Sequence, residues 1–420
     1  MKPRSSPSKH PAQRTKLRNA ARLGLGLFIA ACAAVPALAA GAKAYVGNFK
    51  DNTVSVIDTA GGAVISTLPV AAGPDGIAIT PNGATVFVSG SSVSALTIID
   101  AATDRVLPAV EVGKGPQGLA MSPDGRLLLV AVNGDDQVVF LDTTARSVIG
   151  RVAVTKPHTI AIRPDGKVAY VAAQEPGHFA LVAIDLATRI VIGTLPLEKP
   201  PRDLEFGQDG KALYFTLAGV NAVQVLDPMT NKVVAQITTG VSPHIADYFA
   251  GSSVGVIVVQ GPGELALFDP ATNLQVRAIA VGKQPHWVDA IDATHMLVSN
   301  EGSNTVSMVD LSTGTTSTIA VGTAPRKVAV QRVSAKGGAQ VSISNFAFEP
   351  AQITVAQGQK VMWTNNDGAP HGLKFKDGAA GMELMLPGQT FTRSYAKPGV
   401  YNYVCAVHPY MTAQVIVIAP

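Results

Sequence analysis

The stretch Pro116-Gln117-Gly118-Leu119-Ala120-Met121-Ser122-Pro123-Asp124-Gly125 decides the architecture of most of this chain when it is read together with the next thirty residues. Three more apolar runs come next: Leu127–Val132, Gln137–Asp142 and Val148–Val154. Together with Gly118–Met121 they read as four short strands. The turns between them are rich in Gly, Asp, Asn and Pro, residues that fix φ or tolerate φ > 0. The unit recurs from Tyr45 to Val330. A proline precedes a short apolar strand at Pro74, Pro116, Pro157, Pro201, Pro243, Pro285 and Pro325. An aspartate closes a later strand at Asp58, Asp100, Asp142, Asp185, Asp227, Asp269 and Asp310, with spacings of 42, 42, 43, 42, 42 and 41.

A four-stranded repeat of this period predicts an all-β, seven-bladed β-propeller. One blade cannot bury both of its faces, so neighbouring blades supply each other's core. The chain enters with three strands, Lys43–Gly47, Thr53–Asp58 and Ala63–Val70, before its first marker proline. It leaves with one strand, Lys327–Gln331, after the last. Three plus one predicts a seventh blade completed from both ends of the ring. Composition agrees: 47% of residues are apolar, 15% are charged, and 40 glycines and 28 prolines suit many short strands joined by turns.

The first 39 residues differ from the rest. They hold seven basic residues and no acidic one, then the apolar run Leu23–Ala34, then Ala37-Leu38-Ala39 as a small-x-small cleavage site. This order reads as an export signal, and the apolar run is too short to span a bilayer. Ile29-Ala30-Ala31-Cys32 also resembles a lipoprotein signal. Two outcomes are open: cleavage near Ala39 with a periplasmic or extracellular product, or a membrane-anchored product acylated at Cys32. Without the first 39 residues the charge is 26 basic against 29 acidic, which offers no basic surface for nucleic acid. In either case Cys405 is the one ordinary cysteine left, so an internal disulfide is excluded.

After Ser334-Ala335-Lys336-Gly337-Gly338-Ala339 the 42-residue markers vanish and aromatics become frequent. The expected division is 1–39 signal, 40–333 propeller, 334–340 linker and 341–420 a second domain. Strands are expected at Val341–Ser344, Ile353–Val355, Lys360–Thr364, Gly372–Lys376, Thr390–Tyr395, Val400–Cys405 and Ala413–Ala419, as a small β-sandwich. Its chemistry gathers in Cys405-Ala406-Val407-His408-Pro409-Tyr410-Met411, with His371 lying 34 residues before the cysteine. Two imidazoles and a thiolate with a weak axial thioether are the type 1 copper set. His371, Cys405, His408 and Met411 are therefore the expected ligands of one copper. Three lie on one short loop, and His371, on a separate loop, is expected to tie the two sheets across the site.

These residues carry two resemblances. Ala44-Tyr45-Val46-Gly47-Asn48, Val54-Ser55-Val56-Ile57-Asp58 and Ile77-Ala78-Ile79-Thr80-Pro81-Asn82-Gly83 resemble the YVTN-type β-propeller family, which speaks for fold and is silent on activity. Asn345–Pro350, Val361-Met362-Trp363-Thr364-Asn365, Pro370-His371 and Gly399–Met411 resemble a cupredoxin of the plastocyanin, pseudoazurin and amicyanin group. The short C-x2-H-x2-M loop is most like amicyanin. The resemblance implies that His408 is the electron port, that Pro370, Pro409 and Tyr410 belong to an apolar docking rim, and that Asn365 or Asn366 supports the ligand loops. Nitrous oxide reductase also joins a seven-bladed propeller to a cupredoxin, but its two-copper centre needs two cysteines. A lone Cys405 excludes that centre.

The residue after each marker proline is expected at the mouth of the propeller channel: Asp75, Gln117, His158, Arg202, His244, His286 and Arg326. His158, His244 and His286 are candidates for a metal or catalytic centre or for an anionic small-molecule or partner site, beside the reading that polar residues simply line a scaffold channel; Arg202 and Arg326 would repel a cation. His178 and His295 fall at other repeat positions. There is no phosphate loop, nucleophile elbow, paired-cysteine zinc site or c-type haem attachment sequence. The expected function is an exported single-electron carrier acting with a separate redox partner protein, its propeller docking that partner or a substrate. Two rivals stand beside it: a self-contained oxidoreductase with a second site in the channel, and a non-redox copper-binding or envelope interaction protein.

Overall fold

Each marker proline begins an innermost strand, where its missing N–H costs no ladder hydrogen bond. The computed structural model describes residues 42–249, 252–331 and 339–418. The expected signal segment 1–39, with Cys32 and the Ala39 cleavage site, and most of the expected linker lie outside the described residues. Six four-stranded antiparallel sheets succeed one another, opening at Pro74–Ile79, Pro116–Met121, Pro157–Ile162, Pro201–Phe206, Pro243–Asp247 and Pro285–Ala290. These are blades one to six.

Blade seven closes the ring as expected. Strand Pro325–Val330 lies beside Lys43–Asn48, which pairs onward to Thr53–Asp58 and Ala63–Pro69. The register sets Ala44 against Val330 and Val46 against Val328. The middle strands of the blades are buried on both faces and the outermost strands alternate, so the core runs between blades. Leu129 and Phe140 of blade two, for instance, pack in one cluster with Ile160 and Val171 of blade three.

The marker aspartates have a local reason. Asp100 Oδ1 accepts from the N–H groups of Ala102 (3.0 Å) and Thr103 (2.9 Å), and Asp185 Oδ1 accepts from Thr188 N (2.7 Å). Each carboxylate thus closes the turn into the outermost strand. The residue four places after every marker aspartate has φ > 0: Gly62, Asp104, Arg146, Arg189, Asn231, Asn273 and Gly314.

Residues 339–418 form two sheets. One has the order Ala347–Glu349, Ala339–Ser344, Lys360–Asn365, Thr390–Ser394. The other runs Gln352–Ala356, Thr412–Ile418, Gly399–Val404, His371–Phe375, Met382–Met385. Trp363 of the first sheet meets Phe375 and Tyr403 of the second edge-on, at ring separations of 5.5 and 5.4 Å. The first strand begins at Ala339, ahead of the expected Val341. Two strands, Ala347–Glu349 and Met382–Met385, were not anticipated; both are short and lie at sheet edges. Among the described residues the helical structure is a single 3-10 turn, Asn133–Asp135, and no helix is long and apolar enough to cross a membrane.

Candidate metal centre

The loop Cys405–Met411 joins the adjacent strands Gly399–Val404 and Thr412–Ile418 and is closed by its own backbone. Cys405 N–H donates to Met411 O (3.0 Å), Met411 N–H to His408 O (3.0 Å), and His408 N–H to Cys405 Sγ (3.3 Å). This pins three of the expected ligands before any metal is considered. Cys405 is fully buried, Met411 is buried in the same core cluster, and His408 is half-buried.

The fourth expected ligand arrives differently from the sequence expectation. His371 is the first residue of strand His371–Phe375, which pairs directly with the strand leading to Cys405, Lys374 opposite Val404. His371 and Cys405 therefore belong to one sheet, and His371 does not tie two sheets together. The tie is Asn365, at the end of a strand in the other sheet. Its buried side-chain amide donates to Ala369 O (2.9 Å) and Met385 O (2.8 Å), holding the loop that leads into His371. Asn366 instead donates from the surface to Ser342 Oγ.

His371, Cys405 and His408 present three ligating atoms within 4.8 Å of one another. Cys405 Sγ lies 3.7 Å from His371 Nδ1 and 3.8 Å from His408 Nδ1, and the two nitrogens are 3.3 Å apart. A triangle with such sides has its centre about 2.1 Å from each corner, the bond length of a first-row metal to imidazole nitrogen and about 0.2 Å short of that to thiolate sulfur. The donor set and its spacing thus fit copper. His371 Nε2 donates to Asp367 Oδ2 (2.9 Å), a tautomer assigned from the hydrogen-bond network that leaves Nδ1 turned to the centre.

Two contributors escaped the sequence reading. Asn345 and Phe346 form the two-residue turn between strands Ala339–Ser344 and Ala347–Glu349, both with φ > 0 (50° and 57°), the geometry of a type I′ hairpin. Phe346 N–H donates to Asp367 Oδ2 (2.9 Å), the oxygen that receives His371. This N–H first, and His371 with it, hold the Asp367 carboxyl below its ordinary range. The Phe346 ring stands edge-on to both imidazoles, 5.4 Å from His371 and 5.1 Å from His408. Asn345 before an aromatic was the available signal, but a bulky residue at φ > 0 is too uncommon to be expected.

The propeller holds a separate cavity of 760 Å³ at its channel. Asp75, His158, Arg202, His244, His286 and Arg326 line it, while Gln117 buries its Oε1 without a partner. The His244 and His286 rings lie 4.0 Å apart, and His158 Nδ1 is 3.1 Å from Arg202 O. Burial, followed by Coulombic effects from neighbouring charges, pushes the His244 imidazole well below its ordinary pKa; burial is also the leading cause that takes His286 to about 3. His178 is exposed, and His295 pairs with Asp292 at 3.0 Å, both away from this set.

Residues 335–418 match the family model described as copper binding proteins, plastocyanin/azurin family, and residues 24–122 match that of a YNCE-like β-propeller. The chain is 35% identical to amicyanin-alpha of Methylorubrum extorquens over 21% of its own length and 78% of the relative's. It is 32% identical to amicyanin of Paracoccus versutus (18% and 62%) and 36% identical to chloroplastic plastocyanin of Tetradesmus obliquus (15% and 51%). The chain thus spans less than two thirds of the last two relatives. Among solved structures, Kuenenia stuttgartiensis hydrazine synthase aligns over 57% of this chain and 76% of its own, at 23% identity and TM-score 0.51. A dihydro-heme d1 dehydrogenase in complex with DHE aligns over 68% and 74%, at 16% identity and TM-score 0.54. At these identities the two structures share a fold with this chain and nothing finer.

Proposed function

The chain belongs, through residues 335–418, to the plastocyanin/azurin family of copper-binding proteins, and on that footing we propose that it is an exported carrier of single electrons. Copper is the cofactor, and when bound it supplies a one-electron couple between Cu(II) and Cu(I). We assign its four ligands to His371, Cys405, His408 and Met411 as a type 1 site. The observation that carries this reading is the triangle of sulfur and two nitrogens, with sides of 3.3–3.8 Å.

The chain's own residues account for the rest. Cys405 supplies the thiolate from a loop held by two backbone hydrogen bonds. Asp367 fixes the His371 ring, so the donors stand ready and little rearrangement accompanies a change of charge. Phe346 covers the histidines with an edge-on ring, which excludes water from one side. His408 reaches the surface between Phe346 and Tyr410, which are 45% and 70% exposed. With Pro370 and Pro409, also exposed, these rings make an apolar rim suited to brief contact with a separate redox partner protein. The propeller serves as the platform for that partner or for a substrate. The basic and then apolar order of residues 1–39 supports export to the periplasm or beyond.

The purified protein is expected to turn blue with Cu(II) and to bleach with ascorbate. Cys405→Ser is expected to lose the colour; a variant that keeps it would refute the ligand assignment. A second reading, a self-contained oxidoreductase, draws on the paired channel histidines. It requires turnover that disappears in His244→Ala or His286→Ala while the blue colour survives.

A further inference from the structure

We infer that the propeller channel is a binding site for a small oxyanion or carboxylate, with the Arg202 guanidinium as its main contact and the His244–His286 pair beside it. The starting point is how the cations around the cavity are matched. Arg326 is engaged twice, by Asp75 (2.9 Å) and Glu301 (3.3 Å), and lies 3.5 Å over the Phe49 ring. Lys327 Nζ sits 3.0 Å from the centre of the Trp287 ring, within the field of Glu205 and Asp203. Arg202 is different. Its two terminal nitrogens donate to Ser242 Oγ (2.8 Å) and Gln260 Oε1 (2.9 Å), both neutral. Among the described residues it makes no ion pair.

A guanidinium carries five N–H donors in a rigid fork. Ser242 and Gln260 use two and leave three, including the adjacent pair that a carboxylate or oxyanion takes in bidentate fashion. Its hydrogen-bond partners are neutral and orient the group, while the carboxylates of Asp203 and Glu301 attract it through space without forming an ion pair, so its charge is only partly offset.

The histidines add an independent observation. His244 is 7% exposed, and its Nδ1 and that of His286 are buried without a hydrogen-bond partner. Asp203 Oδ2 lies 3.6 Å from the first and Glu301 Oε2 lies 3.9 Å from His286 Nε2, both too far for a hydrogen bond. Two orphaned imidazole nitrogens on rings 4.0 Å apart are uncommon in a folded interior. Both nitrogens are closed off from the cavity as the rings stand, so a ligand with acceptor oxygens reaches them only as an imidazole turns, with Arg202 as the first contact. A cation is less well served: Asp75, Asp203 and Glu301 also line the space, but Arg326 engages Asp75 and Glu301, two guanidiniums face the cavity, and among the described residues no three His, Cys, Asp or Glu side chains of the channel converge as metal ligands do. The volume of 760 Å³ falls in the range of small-molecule sites.

The test titrates the full copper-loaded chain with succinate and, separately, with inorganic phosphate. Heat of binding is one readout. The fluorescence of Trp287 at the cavity wall is the other, Trp363 being the chain's remaining tryptophan. Saturable binding of at least one probe, at one site per chain, is expected. Saturation by succinate alone identifies an organic carboxylate ligand, and by phosphate alone an inorganic oxyanion. Arg202→Gln should weaken binding roughly 10- to 100-fold, the loss of a charge-assisted contact. Where that variant does not fold, Gln260→Glu decides, because it places a carboxylate on Arg202 and should weaken binding by a similar factor. No saturable binding of either probe, or an affinity unchanged in the folded variant, overturns the inference. The blue colour is indifferent to all of these outcomes, so failure here is distinct from failure of the copper assignment.

Discussion

Asp367 shows how few atoms organise the metal centre. One of its oxygens accepts from the N–H of Phe346 and from Nε2 of His371, both at 2.9 Å. Asp367→Ala should therefore leave the colour obtainable but weaken copper binding by about 10- to 100-fold, as loss of a partner to a ligating histidine does elsewhere. Competition against a chelator of known affinity measures it, and an unchanged affinity would show that the loop alone orients His371. The three donors that the structure brings together, His371, Cys405 and His408, were legible in the sequence, because C-x2-H-x2-M and a distant histidine are read by spacing. Asp367 and Phe346 were not, since their roles exist only where three separate segments meet in space.

At the scale of the element, the turn after each marker aspartate explains why the repeat tolerates different residues at a position with φ > 0. The aspartate carboxylate holds the turn, so Arg146 or Arg189 can occupy a conformation that suits glycine better. The strain remains, and it can be measured from both sides. Gly62→Ala introduces a Cβ whose nearest neighbour is 3.8 Å away, so the cost is conformational and should be about 1–2 kcal/mol. The exposed Arg146→Gly relieves the same strain but adds freedom to the unfolded chain, for a net gain of about 0.5–1 kcal/mol. Denaturant unfolding of the two variants should move in opposite directions.

The same turns set an acid limit. Hydrogen bonds from residues two and three places on lower the pKa of Asp100, Asp185, Asp227, Asp269 and Asp310. A depressed folded-state pKa contributes stability above the unfolded value of about 3.9, and that contribution fades as pH falls through the lower folded value. Asp185→Ala should lower the unfolding midpoint at pH 7, and the difference should shrink steadily between about pH 5 and pH 2. A difference independent of pH would mean that the turn does not rely on the charge. These turns were readable because they repeat seven times, and the ring closure because three strands precede the first marker proline and one follows the last. Ala347–Glu349 and Met382–Met385 were not, because a strand of three or four residues at a sheet edge carries no periodicity to detect.

For the whole molecule, we propose two cooperative units, since no core cluster mixes residues of the propeller with those of the copper domain among the described residues. The buried cluster of the copper domain draws only on residues between Ala339 and Val417, and the propeller clusters only on residues between Ala44 and Val330. The propeller gains its cooperativity from closure, since strand Pro325–Val330 completes a blade begun at Lys43. The sandwich gains its own from the Trp363 aromatic cluster and from the metal, which binds the folded form and raises its stability by mass action. Calorimetry of the full chain should then resolve two transitions. Cu(II) at a thousandfold excess over its dissociation constant should stabilise one of them by about 4 kcal/mol and leave the other in place. In Cys405→Ser both transitions should persist and neither should respond to copper at that level. One joint transition, or a shift of both on adding copper, would mean that the propeller and the copper domain unfold as a single body.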